Sequence, residues 1–183
     1  MSNRTKQDLE ASLKRLMHQK PLDKITIQEL TTDCGISRMT FYYHFQDIYD
    51  LAEWACIEDA SAALQDKNTY ATWTEGFLQI FQYVYDNKSF ILNIYRSMGR
   101  ERVENFLFQI TSDLIKNVAK EQAEGQNIQD KDLQFIANFY TYSFVGILLD
   151  WIKQGMKEDY PQIVEKISKT MKGDIANSIR NFS

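Results

Sequence analysis

The chain has 183 residues, 44% of them hydrophobic and 25% charged, with only seven Gly and two Pro. This is the balance of a soluble globular protein with little material for turns and sheets. Two cysteines without CxxC spacing argue against a disulfide framework and indicate a reducing cytosol. The net charge is −4, but residues 1–46 hold seven Lys/Arg and five Asp/Glu, whereas residues 47–183 hold fourteen and twenty, so a mildly basic front precedes an acidic remainder.

The front of the chain predicts two helices before a tight turn. Apolar residues at helical spacing place the first helix over roughly residues 5–19, and Pro21 marks its end. The second helix begins with the T-x-x-E pattern from Thr26 to Glu29, a capping box in which a hydroxyl and a carboxylate satisfy each other's backbone amides. Gly35 ends this helix, because glycine readily takes a left-handed conformation.

A third short helix, RMTFYYHF, follows at once, with Ser37 as its N-cap and Arg38 as its first residue. Two short helices joined by a glycine turn are the pattern of a helix-turn-helix, and the alternative is a generic helical hairpin inside a bundle. Only Phe41 and Phe45, four residues apart, fit core positions in the third helix. Its other aromatic rings can form hydrogen bonds, and we therefore expect them to face a ligand surface.

The rest of the chain predicts six longer helices and no strands. Their approximate ranges are 47–66, 70–87, 90–98, 100–124, 130–154 and 161–182, with a loop at 67–69. The predicted fold is therefore all-α, with about nine helices. Residues 1–46 form a three-helix helix-turn-helix head, and residues 47–183 form a helical body for dimerisation and effector binding.

The two last predicted helices carry more apolar surface than one bundle can bury. Residues 135–152 are the most apolar stretch, but it is short for a membrane span and contains Asn138 and Asp150, so we expect a buried helix and no membrane association. A second copy of the same helices would cover the excess surface. We predict a homodimer through about 131–154 and 161–182; the alternative is a monomer with unusually deep burial.

The stretch ITIQELTTDCGISRMTFYYHFQDIYDL resembles the DNA-binding segment of TetR-family regulators. The matching features are the I-T start, the C-G turn, the S-R-x-T-x-Y-x-H-F helix and the following Leu51. The resemblance is specific over about residues 20–51, and beyond them only helix order and length agree. It implies a sequence-specific transcriptional regulator that binds an inverted-repeat operator in double-stranded DNA as a dimer.

The resemblance also implies which residues contact DNA. The expected positions are Thr26, Gln28, Ser37, Arg38, Met39, Thr40, Tyr42, Tyr43 and His44. Thr26 would meet a phosphate at a helix start, Gln28 a base edge or a phosphate, and Arg38 a guanine. Met39 and Tyr43 would press on a thymine methyl, and Tyr42 and His44 would meet phosphates. The alternatives are a core ring for Tyr42 and a hydrogen-bonded helix end for His44.

One position departs from the family pattern. Relatives often carry a lysine three residues after the last Phe of the reading helix, where this chain has Ile48, preceded by Asp47. The lost cation should weaken nonspecific DNA binding and flatten its salt dependence. The segment FYYHFQDIYDL is also similar to a subgroup that contains a dihydroxyacetone-kinase-operon activator, which implies a protein partner in place of a small inducer.

The body offers a candidate effector pocket built from aromatic residues. These are Trp73, Phe77, Tyr83, Phe90, Tyr95, Phe106, Tyr140 and Phe144. An apolar pocket with a few hydroxyls is a usual ligand site, but an aromatic stripe at helical spacing is also typical of plain core. We predict either a small apolar or aromatic ligand or a protein co-regulator.

No pattern in the sequence supports catalysis. There is no Gly-rich phosphate loop, GxSxG or HExxH, and His18 and His44 are isolated. We predict no enzyme activity, no cofactor, no metal site and a cytoplasmic location. Two functions remain open: a ligand-responsive DNA-binding regulator, and a helical interaction protein controlled by a protein partner, with weak DNA binding.

Overall fold

A computed structural model describes residues 2–64 and 69–183. Over these residues the chain is helical and contains no strand, so the all-α expectation is confirmed. The helices are α1 (Ser2–Met17), α2 (Ile27–Asp33), α3 (Arg38–His44), α4 (Ile48–Ala63), α5 (Trp73–Asp86), α6 (Lys88–Met98), α7 (Arg100–Gln122), α8 (Asp130–Lys153), α9 (Tyr160–Met171) and α10 (Asp174–Phe182), with a 3-10 turn at Leu22–Lys24. The predicted end of the fourth helix near Asp66, and Lys67 and Asn68 of the predicted loop, lie outside the described residues.

The first compact unit contains the chain up to Asp59 together with Asn87–Val103. Its core is formed by apolar side chains of α1, α2 and α3, among which Leu13, Leu30 and Phe41 are fully buried. The unit also contains α6 and most of α4, so it extends well beyond residue 46. The reason is that Phe45, after α3, packs against Trp54 of α4, with ring centroids 5.6 Å apart. The functional division after residue 46 stays a prediction.

The second compact unit comprises Ala60–Asp86 and Glu104–Ser183. Helix α5 packs against α9, and α10 packs against α8. Helix α8 is long and apolar enough to cross a membrane by length and composition, but 56% of its most apolar window is buried inside the fold. A single helix of this kind is weak evidence of a membrane span, because a mostly buried core helix passes the same test.

The last predicted helix, 161–182, is two helices. Gly173 takes the left-handed conformation with φ of 83°, which separates α9 from α10. The apolar residues on both sides of this break remain buried: Ile163, Ile167, Met171, Ile175 and Ile179. Because both helices turn the same side to one core, the four-residue spacing continues across the break and hides it in the sequence.

Candidate nucleic-acid interface

The predicted capping box at the start of α2 is present. The Thr26 hydroxyl accepts a hydrogen bond from the Glu29 amide at 3.2 Å, and the Glu29 carboxylate accepts from the Thr26 amide at 2.8 Å. The Thr26 hydroxyl also donates to the same carboxylate at 2.8 Å. Lys20, from the end of the preceding segment, forms an ion pair with Glu29. The cap therefore fixes the first turn of α2 and connects it to the residues after α1.

The ion pair makes the cap sensitive to acid. The hydrogen bond from Lys20, with those from Thr26, lowers the pKa of Glu29 from 4.5 to about 2. A carboxylate with a depressed pKa stabilises the fold above its unfolded pKa, and this contribution disappears as the pH falls through about 2. We therefore expect the melting temperature of the wild type to fall further between pH 5 and pH 2 than that of Glu29→Gln, which keeps a capping side chain but has no charge. Equal falls measured by circular dichroism would contradict this assignment.

The turn between α2 and α3 depends on Gly35. Its φ is +65°, a conformation that costs an L side chain roughly 1–2 kcal/mol. This geometry brings the Ile36 amide to the Thr31 carbonyl at 2.9 Å. Ser37 then caps α3 by accepting from the Thr40 amide at 3.1 Å, as predicted from its position. A backbone hydrogen bond across the turn and the Ser37 cap thus connect the two helices locally.

Helix α3 is anchored by its two phenylalanines, as the sequence predicts. Phe41 is fully buried and Phe45 nearly so, which fixes the inner side of the helix. On the outer side Met39 is 83% exposed and Tyr43 81% exposed. Because Met39 and Tyr43 are four residues apart, their exposed side chains lie together on one side of the helix, and such a patch is typical of a contact surface.

Arg38 opens α3 with a fully available guanidinium group. It is exposed and makes no hydrogen bond or ion pair with any residue in the described part of the chain. The five N–H donors of a free guanidinium suit bidentate contact with a guanine edge or a phosphate. Tyr42 is 56% exposed, so the alternative of a core ring does not apply to it.

The remaining predicted contact residues already have partners within the head. The Ser37 and Thr40 hydroxyls lie 2.9 Å apart, and Gln28 donates to the Thr32 hydroxyl at 3.1 Å. His44 is half-buried, and its ring meets that of Tyr43 edge-on at 4.9 Å between centroids. All nine predicted residues lie in the first unit on α2, α3 or their caps.

The position of the missing family lysine is part of the core. Ile48 is buried, and the carboxylate of Asp47 accepts from the Tyr49 and Asp50 amides at 2.8 Å to cap α4. The first unit as a whole contains eleven Lys/Arg and eleven Asp/Glu. Nonspecific attraction to phosphates is therefore weaker than the basic front alone suggests.

The eight aromatic residues of the predicted effector pocket are not gathered in one unit. Phe90 and Tyr95 belong to the first unit; Trp73, Phe77, Tyr83, Phe106, Tyr140 and Phe144 belong to the second. Phe77 stacks on Phe144 with centroids 3.9 Å apart and meets Trp73 edge-on at 5.2 Å. These three rings fill the space between them as a packed core does.

A groove of about 570 Å³ runs between α8 and α9 in the second unit. Of the eight predicted pocket residues only Tyr140 and Phe144 line it. Its α8 wall includes the exposed residues Phe139, Gly146 and Ile147. The groove is therefore continuous with an exposed side of α8.

That side of α8, which we call the α8 face, consists of Phe135, Phe139, Tyr142, Gly146 and Ile147. The first four follow each other at spacings of four, three and four residues, which places them on one stripe of the helix. The three aromatic side chains are each more than half exposed, and Phe182 of α10 lies beside Phe135, with ring centroids 6.4 Å apart. A continuous exposed aromatic stripe is typical of an interaction surface.

Two features of the head have no signal in the sequence. Asn93 of α6 forms hydrogen bonds with the backbone after α1. Lys6 of α1 holds its ammonium group 5.4 Å from the Phe45 ring and 5.2 Å from the Trp54 ring. Both join parts of the chain that are far apart in sequence, so no local spacing could have revealed them.

Two family models match this chain. The model described as "Bacterial regulatory proteins, tetR family" matches residues 11–54, which include α2 and α3. The model described as "Transcriptional regulator C-terminal region" matches residues 71–173, more than half of the chain.

Curated and solved relatives agree with these matches. The HTH-type dhaKLM operon transcriptional activator DhaS of Lactococcus lactis is 23% identical over 92% of this chain and 91% of its own length. A solved structure of the dihydroxyacetone kinase operon activator DhaS has a TM-score of 0.68 at 20% identity, with 98% of both chains covered. A TetR transcriptional regulator from Rhodococcus sp. RHA1 has a TM-score of 0.63 at 12% identity, covering 98% of this chain and 99% of its own. NalD, the secondary repressor of the MexAB-OprM efflux pump in Pseudomonas aeruginosa, has a TM-score of 0.56 at 14% identity, covering 93% and 96%.

Proposed function

The chain belongs to the TetR family of transcriptional regulators, and we propose that it reads an inverted-repeat operator with α3 as a homodimer. The observation that carries this proposal is the exposed outer side of α3. Arg38 has no partner there among the described residues, and the side chains of Met39 and Tyr43 are largely exposed to solvent. The buried Phe41 holds this side outward. A helix that reads DNA needs a buried side that fixes its position and exposed side chains that can reach the base edges.

Within this proposal the nine residues divide into reading and positioning groups. Arg38 contacts a guanine, and Met39 and Tyr43 pack on a thymine methyl. Tyr42 and His44 contact phosphates, which set the register of the protein on DNA. Ser37 and Thr40 keep the first turn of α3 in place, because their hydroxyls lie together at 2.9 Å.

The second helix contributes phosphate contacts in the same proposal. The Thr26 hydroxyl now donates to Glu29, so a phosphate would compete with this carboxylate for the proton. Gln28 has an exposed amide one residue into α2 that can leave Thr32 for a phosphate or a base edge. Thr26 and Gln28 therefore position the head and add little sequence discrimination.

Selection of bound duplexes from a random pool tests the proposed function. We expect enrichment of an inverted repeat whose half-sites are separated by about one helical turn, ~34 Å, or a multiple of it. The wild-type protein should then retard the selected duplex and leave a scrambled duplex of equal length and composition free. Enrichment of no sequence would contradict specific reading by α3.

We propose that the dimer forms through α8 together with α9 and α10. The α8 face supplies exposed aromatic side chains, and the adjoining groove of about 570 Å³ between α8 and α9 is where we expect a helix of a second copy to pack. Gly146 supports this assignment, since a β-carbon there would meet nothing within 4 Å in the same protomer. A glycine inside an exposed helix costs about 1 kcal/mol relative to alanine, and close approach of a second helix would explain it.

The near-neutral head favours a second candidate, in which a protein co-regulator strengthens weak DNA binding. Eleven cationic and eleven acidic residues in the first unit leave little nonspecific attraction, and Ile48 is buried where relatives often place a lysine. The dihydroxyacetone kinase operon regulators to which this chain is similar are named as activators. If wild type binds its selected duplex only above micromolar concentration at physiological salt, this second candidate gains support over a self-sufficient regulator.

A small apolar or aromatic effector remains a proposal for the second unit. The rings of Trp73, Phe77 and Phe144 already pack against one another. A ligand that binds among them would have to displace these ring contacts, so its binding would be coupled to rearrangement of that core. The relatives are regulators rather than enzymes, and we propose no catalytic activity and a cytoplasmic location.

A further inference from the structure

One asparagine of α6 holds the backbone between α1 and α2. The Asn93 carboxamide oxygen accepts from the Leu22 amide at 2.9 Å, and its NH₂ group donates to the Met17 and Lys20 carbonyls, both at 3.1 Å. The Ser97 hydroxyl, one turn later on α6, donates to the same Asn93 oxygen at 3.3 Å. A single side chain thus forms hydrogen bonds with three backbone groups within residues 17–22.

These backbone groups lack partners of their own for a chemical reason. In a continuing helix the Met17 carbonyl would accept from the amide four residues later, but that residue is Pro21, which has no N–H. Such orphaned groups at a helix end are costly unless a side chain or water satisfies them. Asn93 supplies the missing donor for Met17 and an acceptor for Leu22.

The segment held by Asn93 leads directly to the DNA-proximal end of α2. Lys20, whose carbonyl Asn93 binds, forms an ion pair with Glu29, and Glu29 closes the capping box with Thr26. Leu22 is fully buried beneath the same segment. The start of α2 is therefore fixed from two directions, by its own cap and by α6.

We propose that Asn93 is a positioning residue for DNA reading, which holds the segment before α2 so that α2 and α3 meet DNA at a constant angle. The inference rests on the proposed function, since it concerns how accurately α3 is presented. Asn93 itself touches no DNA, and its effect passes through the backbone of residues 17–22. Loss of the carboxamide would leave α3 folded but variably presented.

The test compares Asn93→Ala with Asn117→Ala as a control. Asn117 is also a helical asparagine, but it is an exposed residue of α7 and belongs to neither the first unit nor the α8 face. The probes are the duplex selected by the wild type and its scrambled counterpart. Because each lost bond to a buried group weakens the held segment, we expect Asn93→Ala to bind the selected duplex about tenfold more weakly or worse. The affinity of Asn93→Ala for the scrambled duplex should change less than about twofold, and so should the affinity of Asn117→Ala for either duplex.

Amide hydrogen exchange provides a readout that does not depend on DNA. The Leu22 amide should exchange at least about tenfold faster in Asn93→Ala, whereas amides of α8 keep their rates. Ser97→Ala removes only the hydroxyl that orients Asn93. It should shift both duplex affinity and amide exchange in the same direction as Asn93→Ala, by a smaller factor. It replaces Asn93→Ala as the test variant if Asn93→Ala does not fold.

The outcomes separate this inference from the proposed function. Unchanged affinity of Asn93→Ala for the selected duplex, or an equal loss in Asn117→Ala, would overturn the positioning role while specific DNA binding stands. If the wild type selects no sequence, the proposed function fails, and unchanged exchange over residues 17–29 in Asn93→Ala would overturn the inference independently.

Discussion

Replacing Arg38 with alanine is expected to weaken strongly the preference for the selected duplex over the scrambled one. A bidentate contact with guanine contributes about 1–3 kcal/mol of discrimination, which corresponds to roughly 5- to 150-fold in affinity at each half-site. The guanidinium of Arg38 has no competing partner among the described residues, so its loss leaves the fold of the head unchanged. Fluorescence anisotropy with selected and scrambled duplexes would measure both affinities.

Two further variants identify the cause of any loss at Arg38. Arg38→Lys keeps the charge but not the planar pair of donors, so it should lose discrimination while retaining nonspecific affinity. Arg96→Ala removes an exposed arginine of α6 and controls for charge alone. If Arg96→Ala reduces the preference as much as Arg38→Ala does, or if Arg38→Lys behaves as wild type, direct reading by Arg38 is wrong.

Phe139→Glu is expected to convert the dimer into a monomer. Full burial of a phenylalanine side chain contributes about 1.5–3 kcal/mol, and the two-fold interface would lose this contribution twice while gaining two carboxylates that have no partner. The dissociation constant should rise by at least about a thousandfold, and affinity for the inverted repeat should fall with it because two half-sites are no longer bound together. Sedimentation at micromolar concentration measures the change.

Leu78→Glu is the matched control for the interface. Leu78 is an exposed leucine of α5 that does not belong to the α8 face, so the same added charge should leave the dimer intact. A wild-type protein that sediments only as a monomer would contradict the proposed dimer. A dimer that Phe139→Glu leaves unchanged would show instead that another surface joins the two copies.

Gly146→Ala distinguishes a close helix contact from a free helix surface by the sign of its effect. Alanine favours the helix by about 1 kcal/mol over glycine, so a free surface predicts a more stable protein. A crowded two-fold contact predicts the opposite, because one extra methyl group in a packed interface typically costs about 1–3 kcal/mol. Asn117→Ala, on the exposed side of α7, reports the propensity gain alone. A gain at Gly146 equal to that at Asn117 would contradict close approach there.

The local structure of the head could be predicted from the spacing of residues along the chain. The Thr26 capping box, the Gly35 turn and the buried Phe41 all follow from contacts between residues three to six apart, which helix geometry makes readable. The same spacing predicts the all-α fold. It did not reveal the break at Gly173, because a four-residue apolar stripe looks alike in one helix and in two that share a core.

Contacts between segments that are far apart in the sequence became visible only in the tertiary structure. Asn93 lies 71 to 76 residues from the backbone groups it binds, and no periodicity connects them. The eight aromatic residues of the predicted pocket are divided between two compact units, and Phe77 and Phe144 among them are stacked, which sequence composition cannot show. The sequence by itself thus determined which short helix presents exposed side chains above a buried phenylalanine, because that property is local. Packing alone decided what holds this helix in place and which side of α8 stays uncovered.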